Sequence, residues 1–189
     1  MKKLIQSEIL HIAENFRQLS TLAPKIEEIA QLCTQAIRDG HKIIFCGNGG
    51  SAADSQHLAA ELVGRYKLNR KAMNAMALTV DTSILTAIGN DYGFDTIFSR
   101  QLEGVGQAGD VLIGLSTSGN SPNIILAMQL AKNMGIATIA LTGNAGGKMK
   151  DMADLTLNVP SDATNHIQEM HIASGHLICG IVESEIYGS

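Results

Sequence analysis

Hydrophobic residues in the first forty positions recur every three or four residues, in two successive groups. The first group contains Leu4, Ile9, Ile12, Phe16 and Leu19, and the second contains Ile26, Ile29, Leu32, Cys33 and Ile37. This spacing is typical of amphipathic helices. Pro24 separates the two groups, and Asp39-Gly40 offers the glycine at which helices commonly end. The pattern predicts two helices over residues 1–40, whose apolar stripes must pack on the rest of the domain or on a neighbouring subunit.

After residue 40 the pattern changes to short apolar runs that alternate with longer helical segments. The runs predict five strands: Lys42–Cys46, Asn74–Thr79, Asp110–Leu115, Ile136–Leu141 and Leu155–Val159. The segments between and after them predict four helices: Ala52–Val63, Thr82–Ile88, Pro122–Met134 and Ala163–Ile186. Such alternation is typical of a parallel sheet covered by helices on both faces. We therefore expect an α/β protein, a three-layer αβα sandwich with a five-stranded parallel sheet, formed by residues 1–189 as one domain.

Composition narrows the possible partners and compartments. The formal net charge is −4 and aromatic residues make up 4% of the chain, so neither a basic footprint nor a stacking surface favours nucleic acid. The chain has no run of about 18 consecutive apolar residues, and polar residues from Ser7 onward interrupt the N-terminus where a signal peptide would need an apolar core. We expect a cytoplasmic protein with neither a nucleic acid nor a membrane as partner.

The loop after the third predicted strand has the residues of a phosphate site. Four hydroxyl side chains flank Gly119, and Pro122 stands where a helix begins, so free N–H groups and a partial positive charge lie behind the loop. A single Ser or Thr would suffice for an ordinary helix cap, which is the alternative interpretation. The hydroxyls belong to Ser116, Thr117, Ser118 and Ser121.

Two predicted helices each carry a pair of side chains that could bind a metal. His57 and Glu61 are four positions apart and therefore share one helix face. On the last helix, Gln168 and His176 flank Ile172 on a largely apolar stripe. Imidazole and carboxylate groups are common zinc ligands. The two pairs predict a shared site, against the alternative that each histidine is an ordinary core or surface residue.

Seven short motifs follow one another from the first strand to the last helix, and together they closely resemble the phosphoheptose isomerases of the sugar-isomerase (SIS) superfamily. The motifs are Gly47-Asn48-Gly49-Gly50-Ser51, His57-x-x-x-Glu61-x-x-Gly64-Arg65, Gly89-Asn90-Asp91, Phe98-Ser99-Arg100, Ser116–Ser121, Gly146-Gly147-Lys148-Met149 and Gln168-Glu169-x-His171-x4-His176. The resemblance implies the flavodoxin-like SIS fold and an interconversion of D-sedoheptulose 7-phosphate and D-glycero-D-manno-heptose 7-phosphate. It also implies a homotetramer with interfacial active sites, one zinc ion per subunit, and a role in making the heptose of bacterial surface glycans such as lipopolysaccharide.

The resemblance also implies roles for individual residues. Zinc would be bound by His57, Glu61, Gln168 and His176. Substrate would be contacted by Asn48, Gly49, Gly50, Glu61, Asn90, Asp91, Ser116, Thr117, Ser118, Ser121 and Gln168. An aldose–ketose isomerisation needs a base at the carbon beside the carbonyl and an acid for the oxygen-bound protons. We expect Glu61 to be that base, with a cis-enediol intermediate, and His176 to act on the opposite face or at the ring oxygen.

Three other functions fit parts of the pattern. A replication-initiator-binding protein with the same tetrameric fold would bind a partner without turnover. A sugar-phosphate-sensing regulatory module would need an output domain, for which 189 residues leave no room. An isomerase for another sugar phosphate would use the same hydroxyl loop, because that loop recognises the phosphate and not the length of the sugar.

Overall fold

The computed structural model of the chain describes residues 1–188, in which one sheet of five strands is surrounded by seven α-helices. The strands are β1 Ile43–Gly47, β2 Ala75–Ala77, β3 Val111–Ser116, β4 Ala137–Thr142 and β5 Leu155–Asn158. The helices are α1 Lys2–Leu19, α2 Ala23–Arg38, α3 Gly50–Val63, α4 Thr82–Tyr92, α5 Ile97–Val105, α6 Pro122–Asn133 and α7 Thr164–Tyr187.

All five strands are parallel, in the order β2-β1-β3-β4-β5. The chain direction across the sheet reverses between β1 and β3, where Gly47, the last residue of β1, pairs with Leu115 of β3. In open α/β sheets a ligand binds outside the carboxyl ends of the strands at such a reversal. The Gly47–Ser51 and Ser116–Ser121 loops leave the sheet at this point.

Side chains along each central strand alternate between two hydrophobic cores, as the strand period of two requires. Ile43 and Phe45 of β1 pack under α2, α3 and α7, whereas Ile44 and Cys46 pack under α5 and α6. Helices therefore cover both faces of the sheet. The predicted three-layer α/β fold is confirmed.

The region between β2 and β3 differs from the prediction. The sequence pattern predicts a helix end before Gly89-Asn90-Asp91, but α4 continues through these residues and ends at Gly93, whose φ of 89° suits glycine. A further helix, α5, is absent from the prediction, although it buries Ile97, Phe98 and Leu102. Gly89 resembles a helix end in the sequence, while the residue with left-handed backbone geometry lies four positions later.

The two N-terminal helices meet at a 3-10 turn, Ser20–Leu22, and Pro24 lies in the first turn of α2. The stripe on α2 packs as predicted and contacts α7. By contrast, Leu4 and Ile9 of the α1 stripe are 72% and 58% exposed. Within residues 1–188, nothing covers the outward side of α1.

Cys33, Cys46 and Cys179 are free and buried. Burial raises the pKa of the thiols of Cys46 and Cys179 to about 12. They behave as small apolar core residues. The longest helix, α7, has 24 residues, and no helix within residues 1–188 combines the length and apolarity needed to cross a bilayer.

Candidate active site

The candidate site forms where α3 and α7 pack closely. A Cβ atom on Gly175 of α7 would lie 2.5 Å from the Leu58 side chain of α3, so glycine allows the two backbones to approach. Cys179, one turn later, also contacts Leu58. This close packing brings His57 and His176, the neighbours of Leu58 and Gly175, next to each other.

Three of the four predicted zinc ligands converge at this contact. The Nε2 atom of His57 lies 2.9 Å from Nε2 of His176 and 3.1 Å from Oε1 of Glu61. One ligand atom from each of the three residues lies within 4.8 Å of the other two. The His57 side chain is 52% exposed and that of Glu61 is 20% exposed, so a small substrate can reach both.

Gln168, the fourth predicted ligand, belongs to α7, and its side-chain amide lies against Gly50 at the start of α3. A Cβ atom on Gly50 would be 2.7 Å from Nε2 of Gln168, which shows that the amide rests on this glycine. Eight residues of α7 separate Gln168 from His176, a rise of about 12 Å. Gln168 therefore links the Gly47–Ser51 loop to α7, two turns before the three-residue cluster.

The Ser116–Ser121 loop leads from β3 into the N-terminus of α6. Oγ of Ser116 lies 2.8 Å from Oγ of Ser121, which occupies the N-cap position of α6 without donating or accepting a cap bond. Gly119 has a φ of 64°, and its carbonyl accepts a 3.0 Å bond from the N–H of Met149. The Ser121 hydroxyl therefore bonds within the loop and does not cap α6, at a helix N-terminus of the kind that favours an anion.

Asn48 does not point freely into this crevice. Its side-chain amide exchanges two hydrogen bonds of 2.9 Å with that of Asn123 in the first turn of α6. Gly49 adopts a φ of 56° at the N-cap of α3, and Gly50 begins that helix two residues before the predicted start. The structure thus leaves the Gly49–Gly50 backbone exposed and uses Asn48 to join the two loops.

Asn90 and Asp91 lie in the last turn of α4. Both are exposed, and within residues 1–188 their side chains hydrogen-bond to each other, from Nδ2 to Oδ1 at 2.8 Å, and to no other predicted site residue. The structure does not bring them to the His57 cluster within one subunit.

Comparisons with known proteins show the family of the chain. The SIS domain family matches residues 8–143. A phosphoheptose isomerase of Akkermansia muciniphila is 68% identical over 188 residues, with all of both chains covered. That of Sulfurimonas denitrificans is 57% identical over 191 residues, covering 100% of this chain and 98% of its own. The solved phosphoheptose isomerase of Neisseria gonorrhoeae superposes with a TM-score of 0.92 at 44% identity, covering 97% of this chain and 98% of its own.

The chain belongs to the phosphoheptose isomerase family. It is accordingly an enzyme of the isomerase class, with the SIS fold. The coverage of the relatives is close to complete, so the likeness extends over the sheet, the loops and the N-terminal helices together.

The donor set of the cluster fits a zinc ion. One imidazole nitrogen carries at most one hydrogen, yet His57 Nε2 faces both an imidazole nitrogen and a carboxylate oxygen at hydrogen-bond distance. A proton on that nitrogen satisfies one neighbour at a time. A divalent cation between the three groups satisfies all of them, and two imidazoles with a carboxylate are common zinc ligands.

The structure adds Asp54 to the residues near the cluster. Burial raises the pKa of its carboxyl, and the nearby His57 and His176 oppose that shift. Its position three residues before His57 and seven before Glu61 places all three on one helix face. That spacing is a signal available in the sequence.

Tyr66 is absent from the predicted site, and no sequence pattern indicates it. Its ring stacks on that of His176 with 5.8 Å between centroids. The buried carboxylate of Glu183 accepts bonds from the backbone N–H groups of residues 66, 67 and 68, at 3.0, 2.7 and 2.9 Å, and from Nε of Arg70 at 3.0 Å. Glu183 thereby holds Tyr66 against the site.

Proposed function

We propose that this isomerase interconverts D-sedoheptulose 7-phosphate and D-glycero-D-manno-heptose 7-phosphate at the His57, Glu61 and His176 cluster. The observation that carries the proposal is the convergence of these three side chains, whose imidazole and carboxylate groups suit proton transfer at carbon and oxygen. The Ser116–Ser121 loop and the start of α3 lie at the same edge of the sheet. Seven residues of α3, about 10 Å, separate Gly50 from His57, which an extended sugar phosphate can bridge.

The reaction moves one proton between adjacent carbons. Glu61 removes a proton from C1 of the ketose, which gives a cis-enediol, and the proton returns to C2 of the aldose. His176, on the opposite side, takes the proton from O1 and delivers it to O2. Bound zinc, one ion per subunit held by His57, Glu61, Gln168 and His176, would supply Lewis-acid stabilisation of negative charge on the substrate oxygens.

The phosphate binds through neutral groups. The hydroxyls of Ser116, Thr117, Ser118 and Ser121 surround the N-terminus of α6, whose partial positive charge favours an anion. The Gly49–Gly50 backbone and the amide of Gln168 contact the sugar from the neighbouring loop, with Asn48 setting the position of that loop. This arrangement binds phosphate without a lysine or arginine.

Two exposed apolar surfaces support a homotetramer. One is the outward stripe of α1. The other is α4, which buries no residue, together with the adjoining Phe94, which is 63% exposed. Closed symmetric assemblies commonly bury such surfaces against identical copies. In this proposal residues 1–189 form one domain, and an interface at α4 brings Asn90 and Asp91 to a neighbouring subunit's active site.

The proposed product is a precursor for nucleotide-activated (ADP- or GDP-) heptose and the bacterial surface glycans, such as lipopolysaccharide, that contain it. The synthesis of such precursors is a cytoplasmic activity. The net charge of −4 is consistent with a small phosphorylated ligand bound by local dipoles, and with no nucleic acid partner.

Turnover of sedoheptulose 7-phosphate by the purified protein tests the proposal. We expect aldose product that disappears after chelation and returns with zinc, and much slower turnover of six-carbon ketose phosphates. Activity that is unaffected by chelation would reject the role of zinc and leave the proposed reaction standing. A folded protein without turnover of this substrate would reject the proposed reaction.

A further inference from the structure

A second cluster of metal-ligand side chains joins α1 to the start of α7. Glu8, His11 and His166 each place one ligand atom within 4.8 Å of the others. Oε1 of Glu8 lies 3.0 Å from Nε2 of His166, and the His11 and His166 rings are 4.9 Å apart between centroids. Ten residues of α7, about 15 Å, separate His166 from His176, so this cluster is distinct from the proposed active site.

His166 is both buried and oriented. Its side chain is 4% exposed, and its Nδ1 atom lies 3.1 Å from Oε2 of Glu169. A neutral imidazole that donates Nδ1–H to Glu169 presents the lone pair of Nε2 to the Glu8 carboxylate, so two acceptors face each other at 3.0 Å. In metal sites, a histidine ligand usually donates its other N–H to a carboxylate in this way.

We propose that Glu8, His11 and His166 bind a divalent transition-metal ion of the zinc type, with Glu169 orienting His166. Two imidazoles and one carboxylate leave a fourth tetrahedral position for water, and the exposed side of Glu8 and His11 provides access for it. The metal connects α1 to the rest of the domain, to which this helix is otherwise weakly attached.

The metal would fix α1 on α7, because few side chains of α1 are buried. Of its residues only Asn15 and Leu19 are buried, and the buried Nδ2 atom of Asn15 has no hydrogen-bond partner within residues 1–188. A metal bound to Glu8 and His11 on α1 and to His166 on α7 fixes the N-terminal half of α1. It thereby sets the direction in which the exposed stripe of α1 faces a neighbouring subunit.

A proton is the competing explanation, since an imidazolium at His166 would also bridge Glu8 and Glu169. An imidazolium at His166 needs only the carboxylates of Glu8 and Glu169 as partners, whereas a bound metal also needs His11 as a ligand. Metal content therefore distinguishes the two, and it does so without reference to catalysis.

The test counts zinc in the full-length protein by mass spectrometry after dialysis, and measures affinity by competition with a chromophoric chelator. The H57A/H176A variant removes the proposed active-site metal, and we expect it to retain one zinc per chain. Adding E8A and H11A, both at exposed positions, should remove that zinc or weaken its binding at least tenfold. E14A, which removes another carboxylate from α1, serves as the matched control and should keep it.

Two further measurements guard against misfolding and adventitious binding. E8A/H11A in the otherwise unchanged protein should lose one zinc per chain relative to E14A. Glu169→Gln should weaken binding at this site about 10–100-fold, as loss of an orienting carboxylate does. Zinc content that is the same in E8A/H11A and E14A, or H57A/H176A protein that folds and holds no zinc, would overturn the proposal in favour of a protonated His166.

Discussion

The side-chain amides of Asn48 and Asn123 form two reciprocal hydrogen bonds of 2.9 Å. Asn48 belongs to the loop after β1 and Asn123 to the first turn of α6, on either side of the point where the strand order reverses. A carbonyl and an amino group on each side chain are satisfied by the other. The pair therefore fixes the distance between the phosphate loop and the loop that begins α3.

Replacement of Asn123 by Ala should loosen this connection. It deletes both bonds and leaves the half-buried Asn48 amide without its partner, at a cost of about 1–3 kcal/mol in stability. We expect the KM for the sugar phosphate to rise more than kcat falls, because the two loops lose their fixed spacing. Steady-state kinetics and urea unfolding measure the two effects. Asn133→Ala, at the exposed end of the same helix, is the control, and an equal KM in both variants would contradict the idea.

Replacement of Glu61 by Gln should remove the proposed carbon base while preserving the size of the side chain. General-base catalysis contributes about 10²–10⁴-fold, so kcat should fall by that factor with the fold retained. Loss of deuterium exchange at C1 of the ketose would show that proton abstraction is the affected step. Glu27→Gln, an exposed carboxylate on α2, is the matched control. Exchange at the normal rate in Glu61→Gln protein would assign the base to another residue.

Replacement of His176 by Ala should remove one zinc ligand and the acid–base group opposite Glu61. We expect activity to be lost and the affinity for zinc at this site to fall, since the proposed set of four ligands loses one of its two imidazoles. Chelator competition and turnover assays measure these effects. Leu177→Ala changes the exposed neighbouring residue and should affect neither. Zinc affinity at this site that is unaltered in His176→Ala would show that His176 is not a ligand.

Glu183 should make the stability of the protein sensitive to acid. Burial alone would raise its pKa, but the backbone N–H groups of residues 66–68 and Arg70 donate to the carboxylate and together lower the pKa below its usual range. A carboxyl with a lowered folded-state pKa contributes stability above its unfolded-state pKa of about 4.3 and loses that contribution as the pH falls further. The wild type should therefore lose stability more steeply below about pH 4.3 than Glu183→Gln does.

At neutral pH, Glu183→Gln leaves the buried Arg70 guanidinium without its counter-charge, at a cost of about 3–5 kcal/mol. Urea unfolding at several pH values, at one protein concentration, measures both effects. Glu185→Gln, at an exposed carboxylate on the same helix, should follow the wild-type curve. Parallel pH curves for the wild type and Glu183→Gln would show that Glu183 does not carry the acid sensitivity.

The parts that can be predicted from the sequence are those set by local spacing. The predicted strands lie within two residues of the observed ones, because each apolar run is bounded by glycine or polar residues, and the His57–Glu61 pair follows from the helix period. Asn123 and Glu183 escape prediction because their partners, Asn48 and Tyr66, lie 75 and 117 residues away. No local pattern indicates which distant amide or N–H group a buried polar side chain will meet.

The last prediction concerns Gly119, where two physical demands coincide. Its φ is 64°, and a Cβ atom would lie 2.0 Å from the carbonyl oxygen of Gly146. Left-handed geometry costs an alanine about 1–2 kcal/mol, but the clash with a backbone atom must also displace one of the two loops. We therefore expect Gly119→Ala to weaken phosphate binding strongly, measured as the KM for substrate and as inhibition by inorganic phosphate.

Gly40→Ala separates the two demands. Gly40 has a φ of 83°, and no atom lies within 4 Å of the position that a Cβ atom would take, so the variant carries the backbone strain without the clash. It should lose about 1–2 kcal/mol of stability and keep its KM. If Gly119→Ala lost stability to the same extent and also kept its KM and its inhibition by phosphate, the anion would have to bind elsewhere than the Ser116–Ser121 loop.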